Sequence, residues 1–235
     1  YTMPMVRYES IFIDLDDTIW DFRTNSKVAL HKVYDIHNLS QFYNTFEEYY
    51  SVYSEKNTEL WNMYHHGRIS KEDLMNERFR YPLQRLGVHD NGLAKTLDKD
   101  YLSILSTQKN VVPGTWELLD YLSNKYSLAI LSNGFEEVQY KKMRSSGIDH
   151  YFQEVILSDK VGVNKPHPDI FKYALNKMDT KPDRALMIGD NYDADILGAA
   201  KCGIAQIYYN PLKKEITESK PTHQVESLLE IINIL

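Results

Sequence analysis

Five short apolar runs constrain this chain more than any other feature: Ser10-Ile11-Phe12-Ile13, Leu128-Ala129-Ile130-Leu131, Val155-Ile156-Leu157, Ala185-Leu186-Met187-Ile188 and Ala205-Gln206-Ile207-Tyr208. Each is too short for a helix, and none shows the strict apolar–polar alternation of a strand with one wet face. Near-continuous apolar runs of this length mark strands covered on both faces of a parallel sheet. The first strand is expected over about 8–14. Between the later runs lie helical patterns over 116–122, 136–146 (closed by Gly147), 169–178 and 194–201, with a final helix over 227–235. Strands alternating with helices predict an α/β fold, a doubly wound (Rossmann-like) parallel sheet.

The rhythm is interrupted after the first run. Val28, Ala29, Val33 and Ile36 fall at helical spacing, and 46–64 is aromatic and free of Gly and Pro. Ser70-Lys71-Glu72-Asp73 reads as a helix start, a hydroxyl N-cap before an acidic first turn. That helix carries Leu74, Phe79 and Leu83, and Pro82 is expected to kink it or end its regular part. A further helix spans about 93–106, and no strand-like alternation appears. An interruption of this length is too long for a loop. The expected organisation is a core domain of 1–19 and 109–235 with an inserted all-helical cap domain, 20–108.

Net charge is −6, and no Lys/Arg run exceeds a solvated helix face, so neither a nucleic-acid polymer nor an anionic membrane is the expected partner. Cys202 is the single cysteine, which excludes an intrachain disulfide and a Cys-based zinc cage; its expected role is packing. No apolar run approaches the roughly 20 residues of a spanning helix. Residues 1–8 lack a basic-then-apolar signal pattern, the chain begins at Tyr1 rather than Met, and a cytoplasmic location is expected.

Polar residues punctuate the strand ends: Asp14 and Asp16 after the first, Ser132 after the second, Lys165 in the loop beyond the third, Asp190 and Asp195 after the fourth. In a parallel sheet these ends share one edge, where ligands of open α/β sheets bind. Carboxylates left in such a place are costly without a partner. Asp14, Asp16 and Asp190 offer a hard oxygen site suited to Mg²⁺, which keeps several waters and takes substrate phosphate as a further ligand. Asp14 can attack phosphorus as a nucleophile, and Asp16 can act as acid to the leaving oxygen and then as base to water. The Ser132 hydroxyl and the N–H groups of Asn133 and Gly134 can cradle phosphate oxygens, and Lys165 can neutralise charge on the phosphoryl group and Asp14. Thr18 is expected to be structural at the turn, and Asp17 structural or an outer supporting group.

Competing sheet-borne functions lack their signatures. There is no Gly-x-Gly-x-x-Gly for a dinucleotide enzyme and no Walker loop for an NTPase. A calcium loop of the EF-hand type fails at Ile19 and Asn25. A receiver-type signalling module carries its acceptor on the third strand and has no large insert.

As a set these motifs resemble the haloacid dehalogenase (HAD) superfamily of phosphohydrolases. The resemblance rests on Asp14-Leu15-Asp16-Asp17-Thr18, Leu131-Ser132-Asn133-Gly134, Lys165-Pro166, and Gly189-Asp190 through Asp195, all in order. It covers essentially the whole chain. It implies an aspartyl-phosphate on Asp14, Mg²⁺ held by the Asp14 side chain, the Asp16 backbone carbonyl and Asp190, and Asp195 acting through water or hydrogen bonds. It also implies that the helical insert is a cap closing over the site, with hinges at 20–22 and 109–114. A dehalogenase proper lacks the second aspartate, so Asp16 points to phosphate chemistry.

Leu60-Trp61 before Gly67-Arg68-Ile69-Ser70, Arg78-Phe79, Phe135 after the phosphate loop, and Val161 to Pro166 are similar to bacterial house-cleaning pyrimidine 5′-nucleotidases. That resemblance implies a nucleoside monophosphate substrate, with Trp61, Tyr64, Phe79 and Phe135 as stacking surface and Arg78 as polar anchor. The same aromatics at helical spacing also fit a small cap core. The alternative substrate is a small sugar phosphate, including N-acylneuraminate 9-phosphate. The oligomeric state is left open.

Overall fold

The computed structural model describes residues 8–216 and 218–235, so the expectation for the first seven residues lies outside it. Chain contacts divide the protein into two compact units, Tyr1–Asp21 with Asn110–Leu235, and Phe22–Lys109.

The first unit opens with β1 (Ser10–Ile13). The second consists of helices α1 (Phe22–Ile36), α2 (Phe46–His65), α3 (Lys71–Gln84) and α4 (Asn91–Leu105). The chain then returns through α5 (Thr115–Ser123), β2 (Ser127–Ser132), α6 (Glu136–Ser146), β3 (Glu154–Leu157), α7 (Ser158–Val161) and α8 (Pro168–Lys177). After β4 (Ala185–Gly189) a π-type turn over Tyr192–Leu197 leads into α9 (Gly198–Lys201). The described chain closes with β5 (Ala205–Tyr209), β6 (His223–Val225) and α10 (Leu228–Ile232).

The strands form one parallel sheet in the order β3-β2-β1-β4-β5-β6. Ile11, Phe12 and Ile13 of β1 and Leu186, Met187 and Ile188 of β4 are inaccessible to solvent, as expected of strands covered on both faces. Successive strands leave β1 in opposite directions, toward β2 and β3 on one side and β4 to β6 on the other. The gap between β1 and β4 is therefore the topological switch point, beyond whose carboxyl ends ligands bind.

The helical unit has a polar-edged aromatic core. Tyr49, Tyr53, Phe79 and Tyr101 are buried, with Tyr53–Phe79 and Phe79–Tyr101 ring centres 4.9 and 5.5 Å apart. Ser70 caps α3 with a full capping box to Asp73, as its sequence predicts. Pro82 does not end α3, which continues past it to Gln84, and the Pro82 carbonyl accepts the Tyr43 hydroxyl at 2.6 Å. The expected helix over 194–201 is corrected as well, since its first part is the π-type turn.

Candidate active site

The turn after β1 is held by its own polar groups. The Asp17 N–H donates to the Trp20 carbonyl at 2.8 Å, with Asp17 in the left-handed region at φ 60°. Thr18 is fully buried. Its Oγ1 lies 3.2 Å from Asp14 Oδ2 and 3.3 Å from Asp190 Oδ1, and it accepts the Asp190 N–H at 3.1 Å. Thr18 thus ties the end of β1 to the end of β4 across the switch point, a more specific role than an ordinary turn residue.

Lys165 is the cation at the centre of the carboxylate cluster. It is 2% exposed, and its Nζ lies 2.7 Å from Asp14 Oδ1, 2.7 Å from Asp195 Oδ1 and 2.6 Å from the Leu131 carbonyl. Its loop is fixed by Asn133, whose side chain donates to the Lys165 carbonyl at 2.9 Å and accepts the Lys165 N–H at 2.8 Å. Asn133 therefore positions the lysine through its side chain, a use that its place in a phosphate loop did not suggest.

The π-type turn brings Asp195 back over β4. Both the Asp195 and the Ile196 N–H groups donate to the Asn191 carbonyl, and Asp195 Oδ2 accepts the Asn191 N–H at 3.0 Å. Gly189 makes this possible, because a Cβ there would overlap the Asp195 carboxylate. Such turns inside helices recur at functional sites.

Asp14, Asp190 and Asp195 each place a carboxylate oxygen within 4.8 Å of the others. The side-chain carboxylate grouped with Asp14 and Asp190 is that of Asp195, while the Asp16 side chain turns toward α6. Asp16 Oδ1 accepts Lys142 Nζ at 2.7 Å, and its Oδ2 accepts Gln139 Nε2 at 2.8 Å. Gln139 and Lys142 lie on α6 and went unnoticed in the sequence, where a glutamine and a lysine on a polar helix read as a solvated face.

The electrostatics suit a divalent cation. Burial pushes the Asp14 carboxyl up to about 7, with Lys165 opposing the shift and Asp195 and Asp16 adding to it. Burial and the neighbouring Asp14, Asp195 and Asp17 carboxylates raise Asp190 as well. Lys165 stays firmly charged, since the two carboxylates outweigh its burial. Three converging carboxylates beside Lys165, with Lys214 a minor opposing charge at Asp190, are the kind of hard, under-neutralised oxygen set that Mg²⁺ accepts.

The residues expected to hold a leaving group are placed less favourably. Arg78 is 2% exposed, and its Nε lies 2.6 Å from Asp98 Oδ1 inside the helical unit. A guanidinium committed to a buried carboxylate is not an open anchor. Phe79 packs in the aromatic core and Phe135 is buried, so neither offers a free stacking face, while Trp61 is half-buried against Tyr64 at 5.7 Å. His167 is exposed and caps α8 through Nδ1. Burial raises the Cys202 thiol, which packs against the core.

Residues 8–203 match the family model of haloacid dehalogenase-like hydrolases. The chain belongs to the haloacid dehalogenase-like hydrolases. It is an enzyme of that family, and the strand-end motifs that carried the resemblance are the residues gathered at the switch point. Among its relatives this hydrolase is 30% identical to the pyrimidine 5′-nucleotidase YjjG of Escherichia coli, covering 98% of this chain and 99% of that one. It is also 30% identical to a glyceraldehyde 3-phosphate phosphatase of Methanothermobacter thermautotrophicus, covering 95% and 93%. A crystal structure of the HAD-hydrolase YfnB of Bacillus subtilis, described as bound to magnesium and as revealing interdomain movement, superposes with a TM-score of 0.86. It is 28% identical and covers 97% of this chain and 98% of that one. Among the described residues no helix is long and apolar enough to cross a membrane.

Proposed function

We propose that this hydrolase is a Mg²⁺-dependent phosphomonoesterase that works through an aspartyl-phosphate on Asp14, with pyrimidine nucleoside 5′-monophosphates as substrates. The observation that carries the reaction class is the convergence of Asp14, Asp190 and Asp195 around a buried Lys165.

Asp14, Asp190 and the Asp16 carbonyl would hold Mg²⁺, which when bound offsets the charge of the phosphoryl oxygens and the carboxylates. An Asp14 carboxylate oxygen attacks phosphorus and the ester P–O bond breaks, while Asp16 gives its proton to the departing oxygen. Water then attacks the phosphorus of the aspartyl-phosphate; Asp16 takes the water proton, and the Asp14–phosphorus bond breaks to release phosphate. Lys165 keeps Asp14 in line and neutralises charge as it gathers on the phosphoryl oxygens. Asp195 acts through Lys165.

The substrate class is supported by the full-length similarity to the E. coli nucleotidase. The second reading, a small sugar phosphate, is favoured by the equal similarity to the archaeal glyceraldehyde 3-phosphate phosphatase; N-acylneuraminate 9-phosphate belongs to the same alternative. The helical insert is taken as the cap domain, with the core as 1–19 and 109–235, the hinges at 20–22 and 109–114, and the cytoplasm as the working compartment.

A panel of dUMP, dTMP, UMP, glyceraldehyde 3-phosphate, other sugar phosphates and phosphoglycolate tests the choice. The highest kcat/KM is expected on a pyrimidine nucleotide. Preference for a sugar phosphate over every nucleotide rejects the nucleotidase reading and leaves the phosphatase intact.

A further inference from the structure

We propose that Gln139 and Lys142, one turn apart on the buried face of α6, are positioning residues that set the Ser132 hydroxyl and the Asp16 carboxylate together. The proposal deepens the reading above and rests on it.

Gln139 is fully buried, and its Nε2 lies 2.8 Å from Asp16 Oδ2 and 2.8 Å from Ser132 Oγ. An amide NH₂ has two protons, so one goes to each acceptor. The orientation is expensive: Gln139 Oε1 is buried without a hydrogen-bond partner. Buried polar atoms are nearly always satisfied, so an orphaned Oε1 marks a group held for what its other end does.

The consequence for Ser132 follows by counting. Its Oγ accepts from Gln139 Nε2 and from the Gly134 N–H at 3.1 Å. A hydroxyl has two acceptor sites and one proton. With both acceptor sites filled, Ser132 can present only its proton, which is the polarity a phosphoryl oxygen requires. Gly134 is needed for the same arrangement, because a Cβ there would overlap the Gln139 amide.

Lys142 completes the set. Its side chain is 4% exposed, yet its Nζ reaches Asp16 Oδ1 at 2.7 Å and lies 4.6 Å from the centre of the Trp20 ring. The Asp16 side chain is 28% exposed, so it is gripped from behind while one side stays open to a substrate. Each carboxylate oxygen still has a free acceptor site after accepting one bond. One helix face therefore fixes the acid–base group and the phosphate-binding hydroxyl relative to each other.

The test compares kcat/KM for phenyl phosphate and p-nitrophenyl phosphate, two esters of similar shape. Nitrophenolate departs readily without a proton, whereas phenolate gains more from general acid help. Lys142→Met is expected to lower kcat/KM for phenyl phosphate by about 100-fold, the low end of what general acid catalysis contributes, and for the nitrophenyl ester only several-fold. Gln139→Leu also releases the Ser132 hydroxyl, so it is expected to lower kcat/KM for both esters, phenyl phosphate the more. Lys142→Arg is expected to restore most of the difference. Thermal melts identify a variant that fails to fold; if Lys142→Met does, Gln139→Leu must still lose more on phenyl phosphate than on the nitrophenyl ester. A loss on phenyl phosphate no greater than on the nitrophenyl ester, or a Lys142→Met enzyme that discriminates between them as wild type does, overturns the positioning role and leaves the phosphatase reading standing. If Asp14→Asn keeps turning over both esters, the phosphatase mechanism and this inference fall together.

Discussion

Replacing Asp14 with asparagine should stabilise the metal-free protein while abolishing turnover. Burial, opposed by Lys165 and reinforced by the Asp195 and Asp16 carboxylates, pushes the Asp14 carboxyl from 3.8 up to about 7. A carboxyl whose value rises on folding takes up a proton as the chain folds, so stability falls as pH rises through that window. Below about pH 4 the group is neutral in both states and costs nothing. Above about pH 7 the fold carries a charged carboxylate at a cost of about 4 kcal/mol, and at about pH 5 the cost is about 1 to 2 kcal/mol. Asparagine has the shape of the neutral acid. Its Oδ1 can take over the Lys165 bond, now 2.7 Å long, and its Nδ2 can donate to Thr18 Oγ1, now 3.2 Å from Asp14 Oδ2. The displaced Thr18 proton has Asp190 Oδ1 as its acceptor at 3.3 Å. Asp14→Asn should therefore gain about 2 to 4 kcal/mol at about pH 8 in chelator, and about 1 kcal/mol at about pH 5. Urea denaturation followed by tryptophan fluorescence measures both. Added Mg²⁺ should narrow the gap at the higher pH by stabilising wild type. An asparagine variant less stable than wild type at about pH 8, or a gap that ignores pH, refutes the reasoning.

Arg78→Met should lose about 3 to 5 kcal/mol, because it leaves the buried Asp98 carboxylate without its partner, and Arg78→Met/Asp98→Leu should recover most of the loss; a shift in KM with unchanged stability would instead make Arg78 a substrate anchor. Asn133→Ala removes both bonds to the Lys165 backbone and should cost about 2 kcal/mol together with a fall in kcat, read by denaturation and steady-state kinetics. Gly189→Ala drives a Cβ into the Asp195 carboxylate and should destabilise by about 1 to 3 kcal/mol while weakening Mg²⁺ binding, measured by calorimetry.

The sheet was legible because its central strands are buried on both faces and so read as unbroken apolar runs, and the first, second and fourth of them end in polar residues that make sense at a strand end. Strand β6 was not: His223 and Gln224 are exposed at the sheet edge, and three residues with one apolar side chain carry no pattern. Lys165, Asp190 and Asp195 were legible from their place in the strand rhythm, but the closeness of the Asp195 carboxylate to Asp14 and Asp190 depends on a π-type turn that no local spacing announces. Gln139 and Lys142 were hidden for the opposite reason. Long polar side chains on a helix look alike whether they face water or a strand-end carboxylate. Arg78 and Phe79 have the composition of a ligand pocket, and only their burial against Asp98, Tyr53 and Tyr101 shows them to be the interior of the helical unit.

The central claim is that Asp14 carries the phosphoryl group. Rapid acid quench of enzyme turning over p-nitrophenyl phosphate with Mg²⁺, followed by peptide mass spectrometry, tests it directly. The account predicts one added phosphoryl mass on the peptide containing Asp14, absent in Asp14→Asn and absent without Mg²⁺. A phosphoryl group on any other residue, or full turnover by Asp14→Asn, would contradict it.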